Sequence, residues 1–320
     1  MPGDTAVSRS LDVVAFGEAM MMLVAARPGP LESVDLFHKR TAGAETNVAI
    51  GLARLGLRVG WASRLGQDTV GRYLLESIGA EGVDCSRVVC VAGESTGMLF
   101  KGKVTDGSDP FVEYHRQGSA ASRMTVADVD ESWLLSARHL HATGVFAAVS
   151  ATTHELTKHT MSLMRAAGRT VSFDPNLRPS LWASPESMRA GINGLAALAD
   201  WVLPGLAEGR LLTGLESPQD IARFYLDQGA KLVAVKLGDA GAYFDDGRQH
   251  GTVPAVPVAQ VVDTVGAGDG FAVGVVSGLL EGCSLERAVA RGTWIGARAV
   301  QVMGDTEGLP TRDILDAAGF

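Results

Sequence analysis

The sequence predicts an α/β fold, with a mainly parallel sheet covered by helices on both faces. Short apolar strands alternate with segments of helical period along most of the chain, the pattern that stacks helices on a parallel sheet. Hydrophobic residues make up 46% and charged residues 20%, a balance that can bury a large interior. No interdomain linker, internal repeat or low-complexity tract interrupts the 320 residues, so positions 1–320 read as a single domain around one continuous core.

The first strand is Val13-Val14-Ala15-Phe16, stopped by Gly17. Beyond the break at Pro28-Gly29-Pro30, Val48, Leu52 and Leu55 recur at helical spacing. They predict a helix from about Ala44 to Leu55, stopped by Gly56. A strand near Val59–Leu65 follows, and Asp68 opens a helix with Val70, Leu74 and Ile78 on one face. From Val88 to Arg116 no helical period is visible. Strand-like residues there surround the turn Asp106-Gly107-Ser108-Asp109-Pro110, which predicts a hairpin outside the parallel sheet and part of a lid. The rhythm resumes with strands at His139–Thr143, Thr170–Asp174, Trp201–Leu203 and Lys231–Leu237, and helices near Thr153–Ala167 and Ser184–Ala199. Tyr243-Phe244 before Asp245-Asp246-Gly247 suggests a hairpin, and helices follow at about Ala267–Glu281 and Leu285–Val300.

The totals exclude several classes. A net charge of −8 argues against sequence-independent nucleic-acid binding, which needs a basic face. It leaves room for an anionic substrate, since a few arginines can build a positive pocket on an acidic protein. Cys85, Cys90 and Cys283 are odd in number and lack metal-ligand spacing, which fits a reducing compartment. His139 and His141 share one strand face with no carboxylate or cysteine set to complete a metal site. The first ten residues are polar, Glu18 cuts the apolar stretch after Leu11, and no apolar run reaches membrane-spanning length. A cytoplasmic protein is expected, without signal peptide or membrane partner.

The strongest chemical signal is Asp263-Thr264-Val265-Gly266-Ala267-Gly268-Asp269, running directly into an apolar helix. Small residues let backbone N–H groups approach an anion, and the helix N-terminus adds positive potential. A carboxylate beside phosphate repels it, so Asp269 belongs there chiefly if it takes a proton from an attacking hydroxyl. Taken alone, the segment also fits an ordinary Gly-rich helix start. Two rival phosphate motifs fail. Gly266-x-Gly268-x-Gly270 lacks the spacing of a dinucleotide fingerprint and does not follow the first strand. Gly97-Met-Leu-Phe-Lys-Gly102-Lys103 has Val104 in place of the Mg²⁺-binding Ser/Thr, and a turn follows where a helix is needed.

With these residues the chain resembles the ribokinase/PfkB carbohydrate kinases. Asp263–Asp269 matches their C-terminal signature, Gly43-Ala44-Glu45-Thr46-Asn47 resembles their N-terminal substrate-binding segment, and matching features run from about Asp12 to Pro310. The resemblance implies a ribokinase-like three-layer α/β/α sandwich with a small β lid from segments about 18–40 and 94–118. Its active site would lie at the C-terminal strand ends between sheet and lid. Within the family, the 2-keto-3-deoxygluconate (KDG) kinases are most similar. Their pattern matches Gly43–Asn47, the run Tyr114-His115-Arg116-Gln117-Gly118-Ser119-Ala120-Ala121-Ser122, Asp174-Pro175-Asn176-Leu177-Arg178, and the tail Gly304-Asp305-Thr306-Glu307-Gly308-Leu309-Pro310.

The resemblance therefore implies ATP-dependent phosphorylation of KDG at O6. Asp269 would be the general base, and the N–H groups of Gly266, Ala267 and Gly268 would stabilise the transferring phosphoryl group. Gly43, Ala44, Asn47, Tyr114, Arg116, Arg178, Asp269 and Asp305 would hold the sugar acid; a guanidinium fork suits a carboxylate. Asn47 and Asp305 also fit purely structural roles. ATP would bind at Asn176, Lys236, Gly238, Gly241 and Gly266–Gly268, with Mg²⁺ reached through water by Glu208. Gly205 stands where the family's Asn-x-x-Glu motif has Asn, and His115 stands where a second Tyr is common; both depart from the pattern. A homo-oligomer joined through the lid is expected. Whether a monovalent cation sits near the Asp263 loop stays open. Remaining alternatives are another acceptor (the galactonate epimer, fructose, ribose or a nucleoside) or a non-catalytic sugar sensor on the same scaffold.

Overall fold

In the computed structural model, which describes residues 10–104 and 110–320, the predicted rhythm becomes two sheets. The large sheet holds β1 (Val13–Phe16), β4 (Val59–Gly66), β5 (Asp84–Val91), β8 (His139–Thr143), β9 (Thr170–Asp174), β10 (Trp201–Val202), β11 (Leu232–Lys236), β12 (Ala242–Asp245) and β13 (His250–Val253). The small one holds β2 (Met20–Ala25), β3 (Phe37–Ala42), β6 (Met98–Lys101) and β7 (Val112–His115). The helices are α1 (Ala44–Arg54), α2 (Thr69–Ala80), α3 (Glu131–Leu135), α4 (Gly144–Ala147), α5 (Ala151–Ala166), α6 (Pro185–Ala196), α7 (Leu206–Thr213), α8 (Pro218–Asp227), α9 (Ala267–Leu280), α10 (Leu285–Ala299) and α11 (Arg312–Ala317).

The large sheet runs β13-β12-β11-β10-β9-β8-β1-β4-β5, parallel except for the β12 and β13 edge. Strand alternation divides the apolar residues between two layers. Val14 and Phe16 pack with α5, α6 and α8 residues such as Met161, Ile192 and Ile221 on one face. Val13 packs with Leu52 of α1 and Val273 of α9 on the other. Both sides of the sheet are thus covered, which a parallel sheet requires.

Chain order reverses at β1. The chain first steps outward through β4 and β5, then returns to the other side of β1 and continues from β8 to β13. Such a switch point opens a crevice at the C-terminal strand ends. The small sheet, in order β3-β2-β6-β7, lies in the connections that leave those ends. It is two antiparallel hairpins joined by a parallel β2–β6 pair.

One expectation is corrected. The sequence places all of Val88–Arg116 in a hairpin outside the parallel sheet, but Val88–Val91 completes β5, which pairs in parallel with β4 as the sheet edge. An edge strand is buried on one side only, so it lacks the continuous apolar run that marks β1. The hairpin itself is β6 and β7; its expected turn at Asp106–Pro110 lies outside the described residues except for Pro110. Helices α3, α7 and α8 fall in stretches that the sequence reading left unassigned. His139 and His141 share the Ser172 hydroxyl, each with a ring nitrogen 2.8 Å from Oγ. His141 is pushed down to about 3 by burial, so both serve the core as neutral rings.

Candidate active site

The crevice between the switch point and the small sheet is a cavity of about 410 Å³. Strand ends supply much of its wall: Glu18 after β1, Val145 and Phe146 after β8, Asp174, Asn176 and Arg178 at and after β9, and Lys236 at the end of β11. The lid contributes Met20, Met22, Leu99 and Tyr114, and α1 and α9 contribute Asn47 and Asp269. No helix among the described residues is long and apolar enough to cross a membrane.

Asp269 sits in the first turn of α9, 7% exposed. Asn47 Nδ2 donates to its Oδ2 at 2.7 Å and lies 3.4 Å from Asp305 Oδ2. Burial, above all, pushes Asp269 up to about 8, and the nearby Asp174 and Asp305 charges add to the rise against the Asn47 bond and Lys236. A carboxyl held near neutrality has the protonation chemistry that a general base needs. Behind it, Gly266 adopts φ 88, and a Cβ there would come within 2.8 Å of the Asp305 carbonyl oxygen. The first intrahelical bond runs from Gly270 N–H to Gly266 C=O at 2.8 Å. The N–H groups of Ala267, Gly268 and Asp269 therefore have no intrahelical acceptor and are available to an anion. Gly268 keeps this space clear: a Cβ there would sit 3.4 Å from Lys236 Nζ.

Lys236 Nζ contacts Asp174 Oδ2 at 2.7 Å. Burial pulls this lysine down, but Asp174 and Glu208 outweigh it and hold its pKa above the usual value. Asp174 Oδ1 accepts the Asn176 N–H at 3.1 Å, and Asn176 has φ 38, a left-handed conformation that asparagine tolerates. Glu208 uses both carboxylate oxygens on backbone, accepting from Leu177 N–H and Gly205 N–H at 2.7 Å each. Gly205 is the N-cap of α7, with no side chain to offer. Each Glu208 oxygen keeps a second lone pair, the capacity that contact through water needs.

The two arginines differ. Arg116 is mostly buried and ion-paired with Glu18, which also accepts from the Ser119 hydroxyl at 2.5 Å. Arg178 is exposed and bonds the Leu177 carbonyl at 2.8 Å; among the described residues no carboxylate pairs with it. Tyr114, on β7, lies near Arg116, with the guanidinium 6.0 Å from the ring centroid.

The structure brings Gly43, Ala44, Asn47, Tyr114, Arg116, Asn176, Arg178, Glu208, Lys236, Gly266, Gly268, Asp269 and Asp305 to this cavity. Ala267 begins α9 between two lining glycines, whereas Gly238 and Gly241 flank a short turn beyond Lys236 and do not line the cavity. Three charged lining residues, Glu18, Glu45 and Lys101, have no role in the sequence reading, which considered Asp174 with Asn176 only as a substitute for the missing Asn at Gly205. Glu45 is 2% exposed, accepts from the Thr143 hydroxyl, and is pushed up to about 7 by burial. A signal for them existed in the position of charged residues inside otherwise apolar strand or helix faces.

A lidded crevice at a sheet switch point, with a buried carboxyl inside a helix start whose N–H groups are open to an anion, is an arrangement that suits phosphoryl transfer to a small hydroxylated acceptor. The model of the pfkB family carbohydrate kinases matches residues 10–312, and the chain belongs to that family. A 2-dehydro-3-deoxygluconokinase from Bacillus subtilis (strain 168) is 53% identical over 306 residues, covering 95% of this chain and 94% of that protein. The crystal structure of a PfkB protein from Polaromonas sp. JS666 is 67% identical with a TM-score of 0.89, covering 96% of this chain and 99% of the other. A putative ribokinase II from E. coli, solved in complex with ATP and Mg²⁺, is 28% identical with a TM-score of 0.88, covering 96% and 98%.

Proposed function

We propose that this sugar kinase transfers the γ-phosphoryl group of ATP to O6 of KDG, also called 2-dehydro-3-deoxygluconate. The products are 2-keto-3-deoxy-6-phosphogluconate and ADP. The observation that carries the reading is Asp269, buried and hydrogen-bonded in the first turn of α9, in one cavity with Arg178, Tyr114 and Lys236. The 53% identity to a protein of that activity supports the choice of acceptor.

In this reading Asp269 takes the O6 proton as O6 attacks phosphorus and the bond to the ADP oxygen breaks. The N–H groups of Gly266, Ala267 and Gly268 receive the charge spreading over the phosphoryl oxygens. Lys236 and the Asn176 turn hold the nucleotide, and the bare Gly268 leaves its phosphates room beside Lys236. Mg²⁺ supplies charge neutralisation between the phosphates when bound, with Glu208 reaching it through water. Asn47 orients Asp269 and meets the sugar together with Gly43, Ala44 and Asp305. Arg178, bonded to a backbone carbonyl but to no carboxylate among the described residues, is the fork for the KDG carboxylate; Arg116 serves the same end with its charge already balanced by Glu18.

Coupled ADP release tests the acceptor. KDG should exceed fructose and ribose in kcat/KM by about 100-fold or more, as expected when a site built to bond a charged group meets substrates without one. Equal rates on fructose would remove the acid-sugar assignment. The galactonate epimer in the same series reports on the sugar's hydroxyl contacts.

We also read the chain as one kinase domain that pairs through its lid. Strands β3 and β7 are the lid's outer edges, and Leu36, Phe111 and Tyr114 beside them are 61%, 66% and 46% exposed. Unpaired strand edges next to apolar surface favour association. Light scattering at micromolar concentration should give at least twice the monomer mass; a monomer there would end this reading.

A further inference from the structure

Lys101 is a buried lysine with no place in the steps above. It lies on lid strand β6, where alternation turns Leu99 and Lys101 inward. Its side chain is 2% exposed, with Nζ 2.5 Å from Asp263 Oδ2 and 3.4 Å from Asp305 Oδ1. Asp263 and Asp305 are themselves buried, at 4% and 5% exposure. Burying charges is costly unless they are paired, and here one ammonium is the partner of two buried carboxylates.

The partners belong to the two loops that shape the anion end of the cavity. Asp263 Oδ1 accepts the Val265 N–H at 3.1 Å, bracing the loop just ahead of Gly266. The Asp305 backbone abuts Gly266 so closely that no side chain fits between them. Asp305 Oδ2 is also 3.4 Å from the Asn47 amide that bonds Asp269. One ammonium thus connects the lid, the anion loop and the group that orients Asp269.

We propose that Lys101 is a positioning residue that acts as a tethered cation. It pairs with Asp263 and Asp305 and offsets one of their two negative charges, fixes the anion loop with its N–H groups presented, and supplies the charge that a free monovalent cation beside Asp263 would otherwise bring. The donor set does not fit an added cation. Asp263 Oδ2 accepts from the ammonium and lies 3.4 Å from the Gly304 N–H, Oδ1 accepts from the Val265 N–H, and an incoming K⁺ would meet the like charge of the ammonium. Because Lys101 rides on β6, the same ion pair ties the lid to the anion loop. The inference rests on the kinase reading of this cavity.

The test compares choline chloride with KCl at equal ionic strength, by ADP release and by thermal melting. Wild-type protein should show equal kcat and equal melting temperature in both salts. Lys101→Ala should lose roughly 10- to 100-fold in kcat, the effect of a small misplacement of reacting groups, with KM for ATP and KDG changing less. Propylammonium, which replaces the deleted part of the side chain, should restore much of that loss and raise the melting temperature of the Ala variant alone. Lys101→Met fills the space without charge, so it should be slow and unrescued. A wild-type enzyme activated more than a few-fold by K⁺ would overturn the proposal. So would wild-type kcat in either variant, or an Ala variant that no cation rescues in rate or melting. If Lys101→Ala does not fold, the Met variant and the wild-type salt comparison decide. If wild-type protein phosphorylates no sugar in any salt, the kinase reading fails, while the melting comparison still judges Lys101.

Discussion

Asp269→Asn is expected to fold, bind ATP and turn over KDG about 10²–10⁴-fold more slowly than wild type, the usual cost of losing a general base. The amide is nearly isosteric, and its oxygen can still accept the Asn47 bond, so positioning survives while proton acceptance is lost. A variant with near-normal kcat would take Asp269 out of this role. Two pH signatures accompany the change. In wild type, kcat/KM should rise with pH along a limb near 8, because burial lifts the free enzyme's Asp269 to about 8 and the base works only when ionised. Stability runs the opposite way. The folded carboxyl holds its proton to higher pH than the unfolded one, so its contribution is full below the ordinary carboxyl range and is lost as pH rises toward 8. The ligand-free Asn variant should therefore melt several degrees above wild type at pH 8, with the gap narrowing toward pH 5. A melting difference independent of pH would refute the assigned shift.

Arg178→Ala should raise KM for KDG by roughly 30-fold or more while ATP binding changes little. Exposed in the cavity, Arg178 would be covered by the bound sugar acid, and removing one partner of a charged hydrogen bond so covered costs about 2–5 kcal/mol, where each 1.4 kcal/mol is tenfold. Weak activity on fructose should fall far less, since fructose has no carboxylate to lose. Lys at this position should restore only part of the loss, because an ammonium cannot form the two-pronged contact. Arg116→Ala should behave differently. It leaves Glu18 buried without its cation, so a lower melting temperature should accompany the KM effect. Equal losses on KDG and fructose in both variants would assign the arginines to phosphoryl transfer or folding.

What the sequence by itself determined is the part encoded locally. Val13–Phe16, His139–Thr143 and Thr170–Asp174 were legible to the residue because the first is a continuous apolar run and the other two alternate polar with apolar residues, both strand patterns. The anion loop was legible because Gly266 and Gly268, an acidic first turn and an apolar helix stand side by side in the chain. The edge strand β5 and helices α7 and α8 were not, since edges and short surface helices carry weaker patterns.

Only the tertiary structure decided the electrostatic partners. Asn47 meets Asp269 across 222 positions, and Lys101 meets Asp263 across 162. Periodicity can say that Lys101 faces inward, but not that two carboxylates from distant loops await it there. For the same reason Arg116 and Arg178 look alike in sequence, yet one arrives paired with Glu18, while the other bonds the Leu177 carbonyl and has no carboxylate partner among the described residues. The physical cause is range: backbone propensity and amphipathic period act within a few residues, whereas a buried charge is satisfied by whatever the closed fold brings within about 4 Å.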